Sequence, residues 1–215
     1  MQIAEKIAKN GVEIAIISLE MSETQIIQKM LAKKAHLNSY KMRMKTLDNN
    51  DKENIGKASI EISELPIHLF TNIRTIQQIE NLARRMKNKS NLGLLIIDYI
   101  QLVKNSGKFN SREQEVADIS RTLKLLSLEL KIPIIGLCQL NRNASRMEPT
   151  LADLRESGSI EQDADNVIFL YKDNEDNEDP IVDINIKVAK QRAGSTGKVK
   201  MIFNKSFSEF RRIIR

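Results

Sequence analysis

LLIID, residues Leu94 to Asp98, is four apolar residues running straight into a carboxylate. A strand covered on both faces reads as an unbroken apolar run, whereas a half-exposed strand alternates apolar and polar residues. The segment therefore predicts a strand buried in a parallel sheet. Its carboxylate then stands at the C-terminal end, where open α/β sheets bind their ligands.

Strands and helices alternate on either side of it. VEIAIIS, Val12 to Ser18, predicts a strand. Ser22 with Gln25 forms a capping box for the following helix, whose apolar face is Ile26, Ile27, Met30 and Leu31. A polar helical stretch spans about Asp51 to Glu64, and Pro66 to Phe70 predicts a short strand. Thr75 and Gln78 cap a helix that turns Ile76, Ile79, Leu82, Ala83 and Met86 inward. Ser111 and Gln114 predict a third capping box. Beyond it Val116, Ile119, Leu123, Leu126 and Leu130 recur at spacings of three and four. Ile132 to Leu137 and Asn166 to Tyr171 predict two more strands. Ile181 to Val188 and Lys198 to Phe203 alternate, as antiparallel or edge strands do. The fold class is thus α/β: a mostly parallel sheet flanked by helices, with a small antiparallel β extension at the C-terminus. No repeat or linker divides the chain, so residues 1–215 are expected to be one domain.

Bulk composition narrows the class. With 41% hydrophobic and 29% charged residues, a folded chain is expected. The net charge of +6 permits a polyanionic partner, but 34 basic residues are interleaved with 28 acidic ones, so it does not require one. A single cysteine, Cys138, rules out an internal disulfide and fits a reducing cytoplasm. No apolar stretch reaches the roughly 20 residues that span a bilayer. The opening MQIAEKIAKNG reads as the last turns of a helix, with Ile3, Ala4, Ile7 and Ala8 on one face. The expectation is a chain cut away from something upstream.

The chemistry concentrates at strand ends. Glu20 lies two residues beyond its strand in SLEMS, Asp98 ends LLIID, and Gln139 follows IIGLC. If these strands are parallel neighbours, all three side chains emerge at one sheet edge. Asp98 would hold Mg²⁺, Glu20 would take a proton from an attacking water, and the Gln139 amide would hydrogen-bond a terminal phosphate. Each alone also fits a solvated residue ending a strand. Lys190 and Arg192 in AKQRAG follow another strand, and arginine suits phosphate oxygens, including those in a neighbouring subunit's site. A basic hairpin rim is the plainer alternative. DLRESGSIEQDAD, Asp153 to Asp165, places Arg155 beside Ser157, Gly158 and Ser159. Such a turn can grip a phosphate backbone, or be an ordinary capped turn. Arg142 and Arg146 add charge nearby. No G-x-x-x-x-G-K-[ST] segment, which would cradle nucleotide phosphates, occurs in the sequence.

SLEMS, LLIIDYIQL, GLCQLNR, DLRESGSIEQDAD and AKQRAGSTG, in that order, resemble the C-terminal RecA-like motor domain of the DnaB-type replicative DNA helicases. The likeness covers nearly the whole chain, and DLRESGSIEQDAD is its most specific part. The resemblance implies a RecA-like P-loop-type core, ATP and Mg²⁺ bound between subunits, and a homo-hexameric ring moving 5′ to 3′ on single-stranded DNA. It implies primase and a helicase loader as partners of the parent protein. It gives Glu20 as the catalytic glutamate, Asp98 as the metal ligand and Gln139 as a phosphate sensor coupled to the DNA loop. Arg192 becomes a finger reaching the neighbouring site with Lys190 beside it. Arg155, Glu156 and Gly158 fall in the DNA-binding loop. The family's phosphate loop and N-terminal domain have no counterpart here, so weak activity of the isolated chain is expected. A non-catalytic DNA-binding or ring-assembly module of the same fold is the alternative. A recombinase- or clock-type RecA-like ATPase is a third, against which DLRESGSIEQDAD speaks.

Overall fold

The computed structural model describes residues 1–38, 41, 42, 44, 46–140, 148–173 and 179–213, with backbone alone at 155–158. Arg142 and Arg146 lie outside the described residues. Four parallel strands form one sheet: β1 (Ile14–Ser18), β2 (Ile67–Phe70), β3 (Leu94–Asp98) and β4 (Ile134–Gly136), in the order β2-β1-β3-β4. The helices are α1 (Gln2–Ala8), α2 (Glu23–Lys34), α3 (Asn49–Ser63), α4 (Ile76–Ser90), α5 (Arg112–Leu130) and the short α6 (Gly158–Asp163). The C-terminal strands β5 (Asn166–Tyr171), β6 (Ile181–Gln191), β7 (Gly197–Asn204) and β8 (Glu209–Arg212) form a second, antiparallel sheet in chain order.

The antiparallel extension is thus present as a separate sheet rather than as a continuation of the first. Among the described residues no ladder joins β4 to β5. Side chains link them instead: Cys138 and Leu140, just past β4, pack against Leu154, Val167 and Phe169.

The unbroken apolar runs of β1 and β3 have the predicted cause. One face, Ala15, Ile17, Leu95 and Ile97, packs under α4 and α5 through Ile79, Leu82, Ile119 and Leu126. The other, Ile14, Ile16, Leu94 and Ile96, packs under Ala4 and Ala8 of α1. Ile14, Ile17, Leu94, Leu95 and Ile97 are wholly buried. Each such side chain contributes roughly 2–3 kcal/mol of transfer free energy. On α1 the predicted apolar face is narrower than expected, because Ile3 is 61% exposed.

Caps set the helix starts. Ser22/Gln25 and Thr75/Gln78 form full capping boxes. At Ser111 only half of the box forms. Its hydroxyl accepts from the Gln114 amide, but the Gln114 side chain accepts from Asn110 N–H instead. Asp48 and Asp51 make a further box that starts α3 two residues before the expected stretch. In the strands, β1 and β4 are shorter than expected, β6 runs on to Gln191, and basic FRRIIR contributes β8.

Gly136, the last residue of β4, sits against the loop that follows β3. A Cβ there would collide with the buried Ile100 side chain, which is 5% exposed. Gly136→Ala is expected to cost roughly 1–3 kcal/mol by overpacking. The same change in an Ile100→Ala background should cost clearly less, because the colliding atoms are gone. Denaturant melts of the four proteins measure this, and additive losses would contradict the contact.

Candidate active site

The strand order brings three predicted residues to one edge. β1 and β3 are parallel neighbours with Ser18 opposite Asp98, and β3 pairs with β4 with Ile97 opposite Gly136. Glu20, Asp98 and Gln139 therefore follow the C-terminal ends of three adjacent strands.

Glu20 occupies a turn fixed by its neighbours and is itself exposed. The Ser18 hydroxyl, on a residue 2% exposed, donates to Met21 O at 3.0 Å and accepts from Met21 N–H at 3.2 Å. Leu19 N–H donates to Asp98 O at 2.7 Å. Arg74, from the loop after β2, donates to Leu19 O at 3.2 Å. Backbone bonds between Arg74 and Lys104, and between Ile76 and Lys104, tie that loop to the one following Asp98.

Asp98 is partly buried. Burial raises its carboxyl above the ordinary range, and the nearby Glu20 charge raises it further; the Met1 ammonium and Lys29 pull the other way. The Lys29 ammonium lies 3.5 Å from Met21 Sδ, beside the Glu20 turn. The Asp98–Tyr99 peptide is cis.

Gln139 is held through its backbone. The Gln101 side chain donates to Gln139 O at 3.0 Å and accepts from Gln139 N–H at 3.3 Å, leaving the Gln139 side chain exposed. Arg112 secures Gln101 in turn, donating to Gln101 O at 2.6 Å and to Val103 O at 2.9 Å. Cys138, next to Gln139, has its thiol pushed up to about 11 by burial, which makes it a packing residue and not a nucleophile.

Lys190 and Arg192 lie at the end of β6 and engage helix α6. Lys190 donates to Glu161 O at 2.5 Å, and Arg192 donates to Gln162 O at 3.3 Å. Arg192 also pairs with Asp165 at 3.1 Å, yet its side chain stays 52% exposed. Lys124 of α5 holds the same Asp165 at 2.6 Å, and this bond leads the causes that lower the Asp165 carboxyl. Arg155, Glu156 and Gly158 belong to a 3-10 turn, Leu151–Ser157, and to the first residue of α6; their side chains lie outside the described residues.

Sequence reasoning assigned nothing to Arg74, Gln101, Arg112 or Lys29. Gln101 lay inside LLIIDYIQL, but no spacing rule marks a loop amide that bonds a backbone 38 residues away.

Comparison with known proteins follows the same segments. The profile described as DnaB-like helicase C terminal domain matches residues 1–212. The replicative DNA helicase DnaB of Geobacillus stearothermophilus is 40% identical over 220 residues, covering 98% of this chain and 48% of that protein. The replicative DNA helicase DnaC of Bacillus subtilis (strain 168) is 39% identical over 220 residues, with the same coverage of 98% and 48%. The chain spans about half the length of the curated relatives it matches. Among solved structures, one described as an ATPase domain superposes with a TM-score of 0.90 at 30% identity, over 98% of this chain and 78% of that one. A DnaB-like replicative helicase, described with its interactions with primase, gives 0.89 at 29%, over 98% and 53%. The RecA-like α/β expectation is met by these neighbours.

The raised Asp98 carboxyl has a sign that can be tested. Below the ordinary aspartate range both folded and unfolded chains are protonated there, and nothing is lost. As pH rises toward the raised folded value, the unfolded chain releases its proton first, so stability falls; above that value the loss is complete. Asp98→Asn should therefore match the wild type near pH 3 and exceed it at pH 7. The gain should be small, because Asp98 is only partly buried and solvent screens its repulsion with Glu20. Thermal melts of both proteins without divalent metal measure it; a lower melting temperature for the variant at pH 7 would contradict the assignment.

Proposed function

Because the chain belongs to the DnaB-like helicase C terminal domain family, we propose that residues 1–215 are one motor domain of a replicative DNA helicase. In the intact protein it would work in a homo-hexameric ring, coupling ATP hydrolysis to 5′ to 3′ movement on single-stranded DNA and to duplex unwinding. The convergence of Glu20, Asp98 and Gln139 at the ends of three adjacent parallel strands carries this reading. Primase and a helicase loader are the proposed partners of the intact ring. The solved neighbour described with primase supports the former.

The donors present fit Mg²⁺. That ion takes one or two carboxylates and completes its shell with phosphate and water. Among the described residues no cluster of three or more His, Cys, Asp or Glu gathers, so the site suits such an ion and not an all-protein cage. Asp98 would hold it, since a cation relieves both the burial and the Glu20 repulsion that disfavour its charge. When bound, the ion supplies neutralisation of phosphate charge.

The side chains divide the remaining work. Glu20, exposed on a braced turn, orients a water and accepts its proton. The Gln139 amide hydrogen-bonds a terminal phosphate. Arg192, with Lys190 beside it, leaves its intrachain partners to meet the phosphate of the adjacent subunit. Arg155, Glu156 and Gly158 hold the DNA backbone from the turn before α6.

A non-catalytic DNA-binding or ring-assembly module is the second reading. The 215 residues contain no G-x-x-x-x-G-K-[ST] phosphate cradle. Backbone amides and a lysine in that cradle provide much of the grip on β- and γ-phosphates. The 215-residue chain by itself should therefore bind ATP only weakly. Titration with a fluorescent ATP analogue tests this, and submicromolar affinity would refute it.

In the intact ring, Arg192→Ala should lower ATP hydrolysis about 10³-fold or more while sparing nucleotide binding, as for an arginine finger supplied in trans. Uniform Glu20→Gln rings should also be inactive. Mixed rings should regain some activity, because an interface that joins the intact Glu20 of one subunit to the intact Arg192 of the next is complete. Normal hydrolysis by uniform Arg192→Ala rings would remove Arg192 from the site.

A further inference from the structure

We propose that Gln101 is a positioning residue that fixes Gln139 relative to the loop carrying Asp98, and so couples hydrolysis to the segment leading toward Arg155. This rests on the reading of Gln139 as a phosphate-sensing residue.

The geometry is that of an added rung on the sheet. The last paired residues of β3 and β4 are Ile97 and Gly136. Beyond them, Leu137 N–H donates to Ile97 O at 2.9 Å, and Ile100 N–H donates to Leu137 O at 2.9 Å. There the chain after Asp98 turns away in a 3-10 turn, Ile100–Leu102, and among the described residues no further backbone bond joins it to the chain beyond Leu137. The Gln101 amide takes over, bonding both polar groups of the Gln139 backbone. The Gln101 amide presents an N–H donor and its carbonyl acceptor on one side, as the N–H and C=O of a single residue do in a hydrogen-bonded antiparallel pair. Arg112 fixes the backbone from which that side chain projects, donating to the Gln101 main-chain carbonyl at 2.6 Å.

Gln139 is also linked toward the candidate DNA segment through its neighbours in the chain. Its neighbours Cys138 and Leu140 pack against the cluster of Leu154, Val167 and Phe169, and Leu154 precedes Arg155 in the 3-10 turn Leu151–Ser157. Asp98, Gln101, Gln139, Leu140 and Leu154 thus form a chain of bonds and contacts from one candidate site to the other. A mutant cycle measures the coupling along it.

The experiment uses the intact ring, with ATPase rates measured with and without oligothymidylate and KM for ATP determined in both conditions. Gln139→Ala is the reference. Gln101→Ala should reduce the ratio of DNA-stimulated to unstimulated kcat by roughly fivefold or more, the lower end of ordinary coupling between sites. KM should change much less. The double variant should be no worse than Gln139→Ala alone, since Gln101 acts through Gln139. Gln101→Glu keeps the acceptor for Gln139 N–H and loses the donor to Gln139 O. It should be intermediate, and it carries the test if the alanine variant fails to assemble. An unchanged ratio, a parallel fall of both rates, or additive losses in the double variant would overturn the proposal while leaving the role of Gln139 intact. If Gln139→Ala itself keeps full DNA stimulation, the sensing reading fails and this proposal falls with it.

Discussion

The parallel pairing of β1 with β3, with Ser18 opposite Asp98, is the constraint on which the rest depends. Both strands are buried on both faces, so their apolar residues alone tolerate more than one register. The carboxylate removes that freedom. A slip that drew Asp98 inward would bury an unpaired charge between apolar layers, which costs several kcal/mol or forces protonation. Its place at the rim is therefore as much a stop for the strand as a feature of the site. Once that register is set, Glu20 follows two residues beyond Ser18, and Ile97 opposite Gly136 sets where Gln139 emerges.

The loops at this rim are held chiefly by bonds to backbone and not by ion pairs among the candidate catalytic groups. Ser18 closes the Glu20 turn, Arg74 braces it from the loop after β2, and Gln101 and Arg112 hold the segments after β3 and β4. The contrast with Arg84 is instructive. There the guanidinium meets both Glu80 and Glu129, a closed arrangement with little left to offer a ligand. At the rim, burial and the nearby Glu20 charge both disfavour the charged form of Asp98. Local arrangements that disfavour stability are commonly kept where a ligand relieves them.

Much of the scaffold was legible in the sequence because it follows local rules. All five apolar positions predicted on α4 are buried, and four of five on α5, with Leu130 partly so. The strand-end carboxylates were legible for the same reason: continuous apolar runs locate strands, and the next polar residue locates the edge. What was missed depends on distant partners. Gln114 serves Asn110 because the loop ahead of α5 presents that N–H, which no i, i+3 rule foresees. Arg74 meets a carbonyl 55 residues earlier, and Gln101 a backbone 38 residues later. The basic FRRIIR gave no alternation to read, yet Glu209–Arg212 pairs with β7 because that strand's outer edge would otherwise be unpaired. Periodicity also could not tell that β5 to β8 would form a separate sheet, since pairing partners are not written in a strand's own pattern.

Lys190, Arg192 and the candidate DNA turn are related through α6. The 3-10 turn Leu151–Ser157 runs directly into that helix, and Lys190 and Arg192 hold carbonyls at its far end. Six residues of helix measure about 9 Å at 1.5 Å per residue, short enough to move as one piece. Lys124 resists such motion by fixing Asp165 to α5. A displacement of the turn that carries the helix along must therefore either lengthen the bonds to Glu161 and Gln162 or shift Lys190 and Arg192 with it. Arg192 is the more readily released of the two, since its remaining partner Asp165 is shared with Lys124 and its side chain is already half exposed. The same bonds that occupy Arg192 within this chain thus tie it, through the helix, to the turn on the helix's opposite end.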